Sequence, residues 1–236
     1  MAARAVVDLH CHTGASFDSL SDPATVARTA AERGITHLAI TDHDRIDGAQ
    51  RARDAAIPGL TVIVGSEVRT AAGDLIALFL ERPIAAGLPA GEAIAAIRDQ
   101  GGLVGIPHPF DGWRGSLLRD EAALALVNEV DWIEGWNARL VAPGGNQRAA
   151  ELAAARGIPS VAASDAHTLL EIGDAATIMT GDLGTAAGFH AALHGDLMRI
   201  TGRGALVARL VTPFAKLVNA ARGNRRIEPG ATFVPR

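Results

Sequence analysis

Val6-Val7-Asp8-Leu9-His10-Cys11-His12, then Asp22-Pro23, Gly34 and His37-Leu38-Ala39-Ile40-Thr41-Asp42-His43, form the stretch that decides the fold. The two β-branched, apolar runs read as strands. Asp22-Pro23 reads as a helix N-cap with proline at the first helical position, and Gly34 as the residue that ends the helix. A strand, a helix and a second strand make a parallel crossover unit. The same punctuation repeats outward along the chain. Strands are expected at Val6–His10, His37–Thr41, Thr61–Val64, Leu75–Leu80, Leu103–Pro107, Trp132–Trp136 and Ser160–Ser164. Helices are expected at Pro23–Arg33, Gly48–Ala56, Ala90–Gln100, Asp120–Asn128 and Gly144–Arg156. So many short units point to a compact barrel with a parallel sheet rather than an open two-sided sheet.

Composition agrees and excludes several classes. With 236 residues, 48% of them hydrophobic, and a mean hydropathy of +0.18, the chain has enough apolar surface for one large core and too much for a disordered protein. No apolar run is long enough to cross a bilayer, no signal peptide is visible, and the single Cys11 has no internal partner, so a cytoplasmic location is expected. Lys216 is the only lysine. A lysine-bearing phosphate loop, a Schiff base and a carbamylated metal-bridging lysine in the barrel are therefore excluded. From Arg199 onward eight basic residues face Glu228 alone, although the whole chain carries −4. The body is acidic and the tail basic. A barrel over residues 1–180 and a basic helical extension over 181–236, packed on it, are expected.

The polar residues that look chemical fall at strand ends. His10 and His12 follow the first strand, Asp42 and His43 the second, and Glu67 the third. His108 follows the fifth, Glu134 and Asn137 the sixth, and Asp165 and His167 the seventh. In a barrel these ends open on one face. Alternate residues of a strand share a side, so His10 and His12 point the same way. Imidazoles with nearby carboxylates, here Asp18, Glu67 and Asp165, are ligands for a divalent cation, and such a buried gathering is costly without one.

Asp-Leu-His-Cys-His-Thr, Thr-Asp-His-Asp (41–44), Gly-Ser-Glu (65–67), Pro-His-Pro (107–109) and Ser-Asp-Ala-His (164–167), in that order, resemble the PHP (polymerase and histidinol phosphatase) superfamily. The resemblance spans residues 6 to about 180. It implies a distorted (β/α)7 barrel, two or three divalent ions (Zn, Mn or Fe) and phosphoester hydrolysis. Carried over residue by residue, one ion takes His10, His12, Glu67 and Asp165. A second takes Asp18, His43 and His167, and a third shares Glu67 and uses His108. Where many members carry a histidine, this chain has Asp74 after Gly73, either a further ligand or the sign of a weak third site.

The expected reaction is metal-dependent hydrolysis of a phosphate ester on a small metabolite or nucleotide. Paired cations bring the pKa of water toward about 7, and the resulting hydroxide attacks phosphorus in line. Arg114 and Arg139, in loops at the expected mouth, are candidates to clamp phosphate oxygens. The alternatives are exonuclease-like trimming of oligonucleotides and a non-catalytic metal-binding module. No stable nucleic-acid partner is expected, because the body is acidic. His37, His190 and His194 read as structural or surface residues. Asp42 is expected to orient His43 or the loop, and Glu171 to support its loop. Glu134 reads either as a ligand or as a hydrogen-bond partner of Asn137. In the tail, Thr212-Pro213 is expected to restart a helix whose charges face water.

Overall fold

The computed structural model describes residues 4–112, 116, 125–204 and 206–234. Its elements run β1 (Arg4–Asp8), α1 (Pro23–Glu32), β2 (His37–Ile40), α2 (Asp47–Asp54), β3 (Thr61–Arg69) and β4 (Asp74–Leu78). They continue with α3 (Ala90–Arg98), β5 (Leu103–Ile106), β6 (Trp132–Asn137), α4 (Gly145–Arg156) and β7 (Ser160–Ala163). The last are β8 (Ala176–Thr180), α5 (Ala186–Leu193), β9 (Met198–Ile200) and α6 (Leu206–Ala221). All seven expected strands are present, and four of the five expected helices. The fifth lies largely outside the described residues, as does Arg114. Asp22 caps α1 as its sequence suggests, its side chain accepting from Thr25 N.

One sheet carries the strands in the order β7-β6-β5-β4-β3-β2-β1-β8-β9 and curls into a nearly closed barrel. The sheet is not parallel throughout, a correction to the sequence reading. β4 runs antiparallel to both β3 and β5, and β8 antiparallel to β1 and β9. The physical reason is the short Thr70–Gly73 connection, which admits a hairpin but no crossover. At the C-terminal rim, β1 and β7 meet through their continuations. Cys11 bridges Ala166 in parallel, Asp165 N donates to His10 O (2.8 Å), and His12 N donates to Ala166 O (2.8 Å). At the other end β8 fills the seam, where Thr177 Oγ1 accepts from Ala162 N and donates to Ala162 O.

Strand alternation sorts the side chains into two shells. Leu38, Ile40, Val68, Leu75, Val104 and Ile133 face the helices. Val7, Ala39, Ile63, Ile76, Leu103 and Trp132 fill the barrel, with Phe189 of α5 against them. Trp132 fits because β5 offers Gly105 opposite it, where a Cβ would lie 2.0 Å from the indole. Gly105→Ala is therefore expected to destabilise the protein by about 3 kcal/mol, the upper range for overpacking a rigid core. A urea titration of the metal-free protein checks this, and an unchanged midpoint contradicts it.

The tail departs from expectation in one respect. α6 runs through Pro213 without restarting there. Thr212 does not act as a cap, because its Oγ1 accepts from Arg139 Nη2 at 2.9 Å. The end of α6 and the chain after it are strapped to the barrel. Asn219 Nδ2 donates to Ser16 O and Ser19 O, and Asn224 Nδ2 to Ala15 O. Arg69 donates to Ile227 O, and the Arg45 guanidinium lies 3.8 Å from the Phe233 ring centroid. No helix among the described residues is long and apolar enough to cross a membrane.

Candidate metal centre

The alternation that fills the barrel with apolar groups below also lifts the polar ones to the rim. Glu67 shares a face with Ile63 on β3, Asp74 with Ile76 on β4, and Glu134 with Trp132 on β6. Because β4 is antiparallel, its first residue, Asp74, reaches the same rim as the last residues of its neighbours. A register shift in β6 between Glu134 and Trp136 turns Asn137 inward as well. His10 and His12 follow β1 and are fully buried or nearly so.

Asp18, His43, Glu67, Asp74, His108, Asp165 and His167 line a cavity of about 550 Å³. His10 Nε2 and His12 Nε2 face one another at 3.0 Å, and Glu67 Oε2 lies 3.3 Å from each. Asp165 Oδ1 is 3.5 Å from His10 Nε2 and 3.6 Å from His12 Nε2. Asp18 Oδ2 lies 3.2 Å from His43 Nε2 and 3.4 Å from His167 Nε2. Glu67 Oε1 is 3.1 Å from His108 Nε2, and Glu67 Oε2 is 3.2 Å from His43 Nδ1. Among the described residues, two groups have donor atoms all within 4.8 Å of one another: His10, His12 and Glu67, and His12, Asp18, His43 and His167. His12 belongs to both.

The outer partners fix the donors. Glu134 Oε1 accepts from His10 Nδ1 at 2.7 Å, which leaves Nε2 as the inward lone pair. Glu134 Oε2 accepts from His108 N and from Asn137 Nδ2, which also donates to Asp165 Oδ2. Glu134 is thus a positioning group, and its hydrogen bonds reach well beyond Asn137. Glu171 Oε2 accepts from His167 N and from Thr168, supporting that loop. Asp42 accepts from Thr13 N and Oγ1, so it holds the loop after β1 rather than His43. Asp165 and His108 adopt the left-handed backbone, with φ of 55° and 28°. Such strain in a non-glycine residue persists only where its surroundings over-determine it.

Electrostatics shows what the cluster requires. Burial opposes charge on His10, but Asp165, Glu134 and Glu67 outweigh it and hold its pKa well above 6.5. Burial opposes charge on His43 too, and Glu67 and Asp18 raise it to about 9. Burial pushes against ionisation of Glu67, yet His43 and His10 hold it well below the usual carboxylate range. His167 is lowered to about 4 by burial and by His12. Several carboxylates therefore demand positive charge at one point, and facing imidazole nitrogens supply lone pairs there. Bound protons or divalent cations meet that demand, and the mixed N/O donor set fits Zn, Mn or Fe.

Asp74 lines the cavity beside this cluster without joining either donor group. Burial and then Glu67 raise its pKa to about 6, and its Oδ1 is 4.0 Å from Arg226 Nη2. Arg139 reaches the cavity, with Nε 3.5 Å from Glu171. Arg114 lies outside the described residues. The His190 and His194 rings meet at a 58° tilt away from the site, and His37 is half-buried beside Thr36. Sequence reasoning missed the tail's contribution: Arg209, Lys216 and Arg226 line the cavity, so these charges do not simply face water. It also missed Asp8, which is buried, accepts from Ser164 N, and is raised to about 6 by burial.

Glu134→Ala is expected to lower metal affinity by about 10- to 100-fold, the usual cost of removing a ligand's outer partner. Competition against a chelating dye measures it, and unaltered affinity contradicts the positioning role.

A PHP domain model matches residues 8–111, and a PHP-associated model matches residues 143–196. An uncharacterised protein of Methanocaldococcus jannaschii is 33% identical over 172 residues, covering 72% of this chain and 68% of that protein. A 5'-3' exoribonuclease of Haemophilus influenzae is 41% identical over 64 residues, 27% of this chain and 23% of its own length. Among solved structures, a two-domain protein from Bacteroides vulgatus containing a predicted PHP-like metal-dependent phosphoesterase superposes with a TM-score of 0.68. That likeness has 20% identity, covers 85% of this chain and 66% of the other, and concerns the fold. With its motifs, its barrel and these matches in agreement, the chain belongs to the PHP family.

Proposed function

We propose that this chain is a metal-dependent hydrolase of phosphate esters acting on a small phosphorylated metabolite or nucleotide. The observation that carries the reading is the 3.0 Å approach of two buried imidazole nitrogens with Glu67 Oε2 at 3.3 Å from each, Glu67 itself lining an open cavity. His10, His12, Glu67 and Asp165 would hold one divalent ion, and Asp18, His43 and His167 a second. His108 would use the remaining Glu67 oxygen for a third. Such ions, when bound, acidify water at neutral pH and screen the charge of a phosphate.

The chain's own residues do the rest. Glu134 keeps His10 in the tautomer whose Nε2 faces inward. Asn137 holds one oxygen of Asp165, leaving the other toward His10 and His12. Arg139 is anchored by Thr212 and Glu171, while its Nη1 is buried with no hydrogen-bond partner in the structure. As a residue of the cavity wall, Arg139 would offer its guanidinium to a phosphate oxygen.

The test is turnover of an aryl phosphate and of a panel of nucleotides and sugar phosphates by metal-replete protein. The expected result is hydrolysis that a chelator stops and Mn or Zn restores. Metal-loaded protein that is inert across the panel overturns the reading in favour of a non-catalytic metal-binding module.

A further inference from the structure

A helix that merely packs on a barrel turns its large apolar residues inward, and α6 does the reverse. Its buried positions hold small or polar residues, Ala208, Ala215 and Asn219. Its large apolar residues point outward: Leu210 is 74% exposed, Phe214 60% and Leu217 72%. With the exposed Pro213 they fall within an arc of about 100°, on the side of the helix away from the buried one. The rotation is fixed rather than incidental, because the buried Asn219 Nδ2 donates to Ser16 O and Ser19 O. An apolar stripe held out to water in this way marks a surface that meets something else.

Charge says what that is. By helical position the stripe is bordered on one side by Lys216 and on the other by Arg222, both exposed. From Arg199 to Ile227 the chain has seven basic residues and no acidic one. Two copies joined stripe to stripe across a two-fold axis would therefore bring cations against cations, with no acid in the segment to answer them. An anionic lipid surface answers both halves of the pattern, taking the apolar side chains into its headgroup boundary and pairing the flanking cations with lipid phosphates.

We propose that α6 docks the chain on an anionic lipid surface through Leu210, Phe214 and Leu217, with Lys216 and Arg222 as its flanking cations. The helix lies along the surface and does not span it. Arg209, Thr212 and Lys216 on its neighbouring face line the cavity, so docking sets the cavity beside the lipid. The docking is independent of what the metal centre does.

The test is sedimentation of the full chain with vesicles of phosphatidylcholine alone or with about a third phosphatidylserine. Binding is expected to be at least about tenfold tighter to the anionic vesicles and to weaken as salt is raised. Phe214→Ser and Leu217→Ser should each weaken it by roughly tenfold, the worth of one large apolar side chain. An unchanged urea midpoint and metal content separate lost docking from a lost fold. Arg222→Gln, which leaves the stripe intact, should reduce the preference for anionic over neutral vesicles. The proposal is overturned by protein that binds neither vesicle, by equal binding to both, or by serine variants that bind as before. A dimer in ultracentrifugation that Phe214→Ser dissociates, with vesicles left unbound, overturns it in favour of a second copy.

Discussion

Replacing His12 by alanine is expected to strip the protein of tightly held metal and to lower phosphoester turnover by more than about a hundredfold. That is the least expected of a direct ligand, since even an outer partner costs about 10- to 100-fold. His12 is singled out because it belongs to both donor groups, so one substitution opens both. Its ring also lies 4.7 Å from that of His43 and 4.2 Å from that of His167, centroid to centroid. Elemental analysis after dialysis gives the metal content, and His37→Ala, beside Thr36 and away from the cavity, is the control. A His12 variant that retains its full metal complement and turnover contradicts the assignment.

Metal uptake at pH 7 is expected to expel at least two protons. In the metal-free protein His43, raised to about 9, and His10, raised well above 6.5, both carry a proton at that pH, and His12 is raised in the same direction. A ligating imidazole must be neutral, so these protons leave. His167, lowered to about 4, is already neutral and contributes none. Apparent affinity should therefore fall at least about a hundredfold for each unit the pH drops below neutrality while these histidines stay protonated. Calorimetry in buffers of different ionisation enthalpy counts the protons, and uptake without proton release refutes the scheme. Stability follows the same linkage. The raised pKa of His43 stabilises the metal-free fold fully below 6.5, and that contribution disappears as the pH rises through about 9. Chelated protein should lose stability over that interval while loaded protein does not.

Much of this was legible in the sequence because strand ends leave a strong trace. His10, His12, Glu67, His108, Asp165 and His167 each follow a β-branched run, and a barrel gathers such positions. The inward turn of Glu67 follows from alternation with Ile63. Other features leave no local trace. The antiparallel course of β4 depends on a connection too short for a crossover, and it alone explains how Asp74, at the beginning of a strand, joins residues at the ends of others. The register shift that turns Asn137 inward is invisible to a strict period of two. The tail was the hardest to read. Helical spacing shows that α6 is amphipathic, but only the hydrogen bonds of Asn219 and Asn224 fix which way its cations face.

The pairing of Cys11 with Ala166 lies between His10 and His12 on one side and Asp165 and His167 on the other. Ring closure and ion capture thus use the same few peptides. A nascent chain makes His10 and His12 about 150 residues before Asp165 and His167. An ion held by both pairs would clasp two segments made far apart in time.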